Sequence, residues 1–323
     1  MPEIAEINKV EAANVATVNG VASDNIDNVN GVDLVVGFSN TYSLAMGNIQ
    51  TGAPSLAAQT HMQVANAASY NFHDSGTSED EPFSCSMWFK MPSATDSPAG
   101  VGMSGRYMIS KGTSGAGNLE WQVHFHGGSH VLLFKLEDSS GNQMYTFDGS
   151  QSWTSLQGNW HHLVVTYGGG PYATATNRQD LIESIYYYID GTQYQGQLWA
   201  GGFPYSPGGS VTWGGLRTST NPVKVGSSVS GPSQTMIGYM DEVSIWSKAL
   251  STSEVGDIYN SGTPGDLSAS GSLLSWWRMG DNNSGTGTTV TDVQGTGNGT
   301  LCTTLACGTP GVYGSDGFVT VVP

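Results

Sequence analysis

Between residues 83 and 90 the chain reads Phe-Ser-Cys-Ser-Met-Trp-Phe-Lys, so Phe83, Cys85, Met87 and Phe89 alternate with Ser84, Ser86, Trp88 and Lys90. A period of two puts the first set on one face of a β-strand and the second on the other. The same reading predicts strands at 106–112, at 118–143 as a pair joined through Gly127–Gly128, at 158–170, at 183–196 turning on Asp190–Gly191, and at 235–250. A helix follows with its own punctuation. Ser251 and Glu254 have capping-box spacing, Val255, Ile258 and Tyr259 supply the apolar stripe, and Asn260-Ser261-Gly262 stops it. Regular strands with turn signals and a single short helix predict an all-β protein, an antiparallel β-sandwich.

The first 32 residues follow a different pattern. Segments 4–10, 15–21 and 26–32 repeat every eleven residues, with aliphatic side chains at Ile4, Ile7, Val10, Val15, Val18, Val21, Ile26, Val29 and Val32. Eleven residues make three helical turns plus about 20°, which keeps one face apolar. Asn-Gly at 19–20 and 30–31 interrupts a continuous helix. The expectation is three short helical turns, with Ser23 or Asp24 capping the one that begins at Ile26. So thin a segment cannot bury nine aliphatic side chains by itself. Residues 1–35 therefore read as a repetitive docking segment for neighbouring copies or another protein, and 36–323 as the sandwich.

Charge narrows the partners. Of 323 residues 26 are acidic and 10 basic, a net charge of −16, which argues against nucleic acid or an anionic membrane. No run of about eighteen apolar residues occurs, so no membrane span is expected. The opening Met1–Val10 has neither a basic start nor an apolar run, so no secretory leader is expected. Cys85 falls in an apolar strand pattern and reads as a buried free thiol. Cys302 and Cys307 could pair across a short loop, but an odd total of three argues against a disulfide framework.

Candidate chemistry is sparse. Glycoside hydrolysis needs two carboxylates about 5 Å or about 6.5–9.5 Å apart. Glu79-Asp80-Glu81 reads as a loop before Pro82, Glu137-Asp138 precedes a turn, and Asp241-Glu242 would point to opposite faces of a strand. The chain is therefore read as not an enzyme. His124 and His126 share a strand face with Glu120 and Gln122; with His130 or His161 they have zinc-capable spacing, but a polar, exposed sheet face explains them better. Trp199, Phe203, Tyr205 and Trp213 fall in a Gly- and Pro-rich stretch where a core has little claim on them, and Tyr186 and Tyr188 share a face. Such aromatics suit sugar stacking and protein interfaces alike.

The segments FSCSMWFKMP, ISKG, GNWHHLVVTYGGG, YYYIDGTQYQG and MDEVSIWSKALSTSEVGDIYNSGTP come in the order and spacing of laminin-G-like domains. Over about residues 37–262 the chain resembles these domains, which belong to the concanavalin A-like lectin/glucanase jelly rolls. In many of them a segment resembling WWRMGD…GTTVTD…GNGTL opens the domain, whereas here it lies near residue 300. The resemblance thus implies a jelly roll completed by its own segment 268–323, in permuted order. It also implies that no cofactor is required, with calcium admissible between loops at Asp241, Asp281 and Asp292. His161 and His162 resemble family residues packed beside the Trp160 strand, which need no metal. NTYSLAM, WWRMGD and the repeated I-x-x-V-N-G-V together resemble virion structural proteins of tailed, especially marine, bacteriophages. That likeness implies location in the virion as a fibre, tail or capsid-decoration component. It further implies other virion proteins as partners through the N-terminal segment, a homo-oligomer, and a host surface glycan as the alternative ligand.

Overall fold

The computed structural model describes residues 6–7, 10–11, 17–18, 21–22, 28–29, 32–33, 38–46, 60–74, 79–93, 106–113, 118–126, 131–171, 181–198, 213–228, 235–302 and 317–323. It divides into two compact units, residues 1–40 and 41–323.

The first unit corrects the helical reading. Glu6–Ile7 pairs with Val10–Glu11, Thr17–Val18 with Val21–Ala22, and Asn28–Val29 with Val32–Asp33, each pair antiparallel. Ile7 opposes Val10, Val18 opposes Val21 and Val29 opposes Val32. Each repeat is a β-hairpin with two residues between its strands, the arrangement that Asn-Gly favours most strongly. The eleven-residue spacing is thus a hairpin period and not a helical one. Ile4, Val15 and Ile26 lie outside the described residues.

The strands of the second unit's two large sheets are, in chain order, β1 (Ser43–Met46), β2 (His61–Val64), β3 (Phe83–Lys90), β4 (Arg106–Thr113), β5 (Asn118–Phe125), β6 (Val131–Glu137), β7 (Gln143–Ser152), β8 (Trp160–Tyr167) and β9 (Ile185–Ile189). They continue with β10 (Thr192–Gln195), β11 (Gln197–Leu198), β12 (Val223–Val225), β13 (Gly238–Trp246), β14 (Leu273–Trp277), β15 (Thr289–Val290), β16 (Gly299–Cys302) and β17 (Phe318–Val319). One sheet runs β10-β9-β8-β3-β13-β1-β17, with β14 also on β13. The other runs β11-β7-β6-β5-β4-β12-β2-β16-β15. All these pairs are antiparallel, as the alternation predicts.

The two sheets face each other across one apolar core. Phe83 of β3 stacks on Phe72 at 4.1 Å and meets Trp121 of β5 at 5.6 Å and Phe134 of β6 at 5.9 Å, both from the opposite sheet. Aromatic pairs of this kind add about 0.5–1.5 kcal/mol each beyond burial. Tyr187 of β9 spans the layers. Its hydroxyl accepts from the Phe134 N–H at 2.9 Å and lies 2.8 Å from Thr146 Oγ1 on β7. The helix α1 (Thr252–Tyr259) starts as its sequence specifies, with the Ser251–Glu254 capping box formed and Asn260 left-handed at its end. Among the described residues no helix is long and apolar enough to cross a membrane.

One edge of β13 is shared by two segments distant in sequence. β3 lines one side of β13 along its length. On the other side β1 pairs with Gly238–Met240 and β14 with Val243–Trp246. Both run antiparallel to β13, so β14 and then β1 lie end to end, like one strand broken between Trp277 and Ser43. β16 meanwhile pairs with β2 in the second sheet, and β17 with β1 in the first. The C-terminal segment is built into both layers.

Of the cysteines, Cys85 is a buried free thiol whose pKa burial pushes far up, whereas Cys302 is disulfide-bonded, against the expectation. Cys307 lies outside the described residues.

Candidate functional site

The surroundings of the acidic residues decide what chemistry is open to them. Glu79–Asp80 is a short strand rather than a loop, pairing with His73–Asp74 and Gly170–Pro171. The Asp80 carboxylate is buried and receives the Trp213 indole N–H at 2.9 Å, the Tyr167 hydroxyl at 3.0 Å and the Leu216 N–H at 2.7 Å, with His73 Nδ1 at 3.2 Å. Glu137 is engaged by Arg217 and Gln143, and Asp138 holds the turn through Ser140 and Asn142. Glu120 takes the Lys111 ammonium at 2.5 Å and the Ser219 hydroxyl at 2.6 Å.

Asp241 and Glu242 depart from simple alternation. Glu242 has φ +48°, and the register of β3 against β13 shifts between Ser86 and Trp88, so a residue is inserted here. Asp241 lies opposite Trp88, and Glu242 accepts the Trp276 indole N–H and faces Arg278 Nε at 3.4 Å. The expected separation onto opposite faces therefore does not hold.

The three aspartates considered for calcium do not form one shell. Asp281 Oδ1 accepts the N–H groups of Thr41 and Tyr42, each at 2.9 Å, and its Oδ2 binds Arg278. Both oxygens of Asp292 are taken by donors from Ser275, Trp276, Gln294 and Gly297. Asp241 accepts the N–H of Glu242. Donors and a guanidinium satisfy a carboxylate in place of a cation. Among the described residues no group of three or more His, Cys, Asp or Glu is arranged to hold a metal.

Asp281 instead clips the start of β1 to the end of β14. Beside it, burial pushes the Glu242 carboxyl up to about 7 against the pull of Arg278. A carboxyl whose folded pKa is raised stabilises the fold fully below its unfolded value, 4.5, and loses that contribution as pH rises through about 7. Wild type should therefore lose melting temperature relative to Glu242→Gln between about pH 5 and about pH 8. Comparing the two cancels the buried histidines, His124 and His162, both lowered to about 3 chiefly by burial. A difference that stays flat or grows with pH would mean that the ionised Glu242–Arg278 pair is the favoured form.

The histidines occupy separate places. Trp121, Val123 and Phe125 enter the core, and Glu120, Gln122 and His124 lie on the other face of β5, as alternation predicts. That face is buried and not exposed: Tyr107 stacks on His124 at 5.0 Å, and Gln122 Nε2 lies 3.4 Å from His124 Nδ1. His161 belongs to the other sheet, where its Nδ1 contacts Asp190 at 2.7 Å, and His162 Nε2 contacts Ser86 Oγ at 2.9 Å. His126 is half-buried and His130 lies outside the described residues.

The predicted aromatic platform is only partly placed. Trp213 is buried by its tie to Asp80, and Tyr188 is buried with its hydroxyl near Thr252 and Gln193. Tyr186 is half-buried on the same face of β9, while Trp199, Phe203 and Tyr205 lie outside the described residues. A different set appears on the outward face of the eight-stranded sheet. Tyr259 of α1 covers Trp88 and His162, with ring centroids 5.9 Å away in each case. One row further on, Lys90 is paired across the sheet with both Trp160 and Tyr239, and all three are half-buried. The Trp160 and Tyr239 rings are 6.3 Å apart and inclined at 44°. Sequence reading missed this row because its members come from three strands, 70 and 79 residues apart.

A family model described as the concanavalin A-like lectin/glucanases superfamily matches residues 64–256, more than half of the chain. No curated protein matches the sequence. Among solved structures, the chain is similar to a candidate carbohydrate-binding protein from Bacteroides ovatus, at 14% identity and TM-score 0.50 over 84% of this chain and 62% of that one. It thus spans about three fifths of that protein's length. Weaker likenesses are the binding domain of Paraclostridial Mosquitocidal Protein 1 (15% identity, TM-score 0.40, 68% of this chain and 52% of that one) and a heptameric SAP-like pentraxin from Limulus polyphemus (13%, 0.37, 68% and 82%). At these identities the likeness concerns the fold alone.

Proposed function

The chain belongs to the concanavalin A-like lectin/glucanase superfamily, and from that premise we propose that it is a displayed, non-enzymatic virion structural protein of a tailed bacteriophage. It would serve as a fibre, tail or capsid-decoration component, docked through its first unit and presenting the lectin-like sandwich on the particle. The observation that carries this reading is the run of three equivalent hairpins, eleven residues apart, ahead of the sandwich. A two-residue strand pair cannot support itself in water, so three copies of one suit repeated, equivalent contacts with neighbouring chains or another virion protein. The described carboxylates favour a non-catalytic role, since Asp80, Glu137, Asp138, Asp241 and Glu242 are held by internal donors.

The test is assembly. Val18→Asp together with Val29→Asp places a charge in two hairpins, and an unpaired charge in an interface strongly opposes it. The double variant should melt like wild type yet stay monomeric and fail to join the particle, as should a chain beginning at Thr41. Normal incorporation would make the hairpins a passive extension. A second reading, recognition of a host surface glycan, is favoured by one observation, the half-buried Trp160 and Tyr239 flanking Lys90 on a sheet face.

A further inference from the structure

We propose that Trp160, Lys90 and Tyr239 form a subsite for an acidic saccharide, one bearing a carboxylate or sulfate. The inference deepens the glycan reading above and rests on it.

Three adjacent strands, β8, β3 and β13, put these side chains in one cross-strand row, Trp160 opposite Lys90 and Lys90 opposite Tyr239. The backbone beneath is fixed. Gly238 has φ +135°, and a Cβ there would lie 2.1 Å from the Lys90 carbonyl oxygen, so β13 and β3 press together at this point in a way only glycine permits. The two rings lie 6.3 Å apart, inclined at 44°, and neither belongs to the apolar core. Aromatic faces of this kind take the C–H faces of a sugar ring.

Two further observations select the ligand's charge. Lys111, Arg217, Lys248 and Arg278 are each committed to a carboxylate, whereas Lys90 has no ion pair or hydrogen-bond acceptor among the described residues. The Trp160 indole Nε1, shielded from water, likewise has no acceptor among the described residues. The row therefore presents one ammonium flanked by two aromatic side chains, with the indole N–H out of reach of solvent. A carboxylate or sulfate on the sugar neutralises the lysine through a charge-assisted hydrogen bond, which a neutral sugar hydroxyl cannot do. In a chain of net charge −16, a free lysine between two aromatic rings is a local reversal of sign.

The experiment uses the full chain with ¹⁵N-labelled tryptophan and three probes: a glucuronate tetrasaccharide, a sulfated galactose tetrasaccharide and neutral maltotetraose. Binding is followed by indole N–H shifts and calorimetry, with the signal of Trp160 assigned by its loss in Trp160→Phe. The acidic probes should bind and shift that signal, and Lys90→Gln should weaken them about tenfold while removing the preference over maltotetraose. Lys90 lies outside the apolar core, so its variant remains informative if Trp160→Phe fails to fold. If an acidic probe binds but neither substitution changes it, this subsite is wrong while glycan recognition stands. If no probe binds at about 10 mM, a concentration that reveals even millimolar affinity, both the subsite and the glycan reading fall. Display on the particle is judged separately, by assembly.

Discussion

Removing residues 268–323 should yield a protein that aggregates and shows no cooperative melting. The segment carries Trp276, Trp277, Met279, Val290, Leu301 and Phe318, all buried. At roughly 1.5–3 kcal/mol per large apolar side chain, six of them amount to on the order of 10 kcal/mol, comparable with the entire stability of a typical domain, about 5–15 kcal/mol. The deletion also strips β14 from half of one β13 edge, β16 from β2 and β17 from β1. Unpaired strand edges are templates for intermolecular pairing, so the loss appears as aggregation and not only as a lower melting point. Soluble expression of 1–267 with one sharp transition would show that the tail is dispensable to the sandwich.

The second large effect concerns Asp80. Asp80→Ala should cost roughly 3–5 kcal/mol, since it strands three buried donors at about 1–3 kcal/mol each, and should lower the melting temperature by about 10 °C for a domain of this size. The substitution strands the Trp213 indole N–H, the Tyr167 hydroxyl and the Leu216 N–H in a dry interior, where each forfeits its acceptor. Asp80→Asn keeps the shape and one acceptor oxygen, so its loss should be smaller. A calorimetric scan of the three proteins checks the order. An Ala variant melting within about 2 °C of wild type would show that water replaces the carboxylate at no cost.

The parts of the fold legible in the sequence are those decided locally. Alternation in 83–90 and the capping box at Ser251 and Glu254 depend on neighbours a few residues away, and both elements form where predicted. The turn at Asp190–Gly191 does too, with φ +51° and +76°. The N-terminal repeats misled because eleven residues fit three helical turns, yet Val-Asn-Gly-Val is a tighter constraint, bringing Val18 against Val21 and Val29 against Val32. β7 escaped notice because Gly149, Ser150 and Ser152 dilute its apolar alternation. Trp213 looked free in a Gly-rich stretch because its partner, Asp80, is 133 residues away. The Trp160–Lys90–Tyr239 row was hidden for the same reason: the residues were visible, but not the register that sets them side by side.

The broken strand alongside β13 also dictates when the sandwich can close. Ser43–Met46 must wait for Gly238–Met240, nearly 200 residues later, and for Phe318–Val319, later still. Pairings of such sequence separation make for a high contact order and slow closure. On the ribosome, hairpins such as β9–β10 and the β5–β6–β7 meander can form as they emerge, but β2 waits for β12 and β1 for β13, and each keeps one open edge until β16 and β17 arrive. Closure is then a late event in folding, and the interval before it is when the nascent chain is most exposed to pairing with its neighbours.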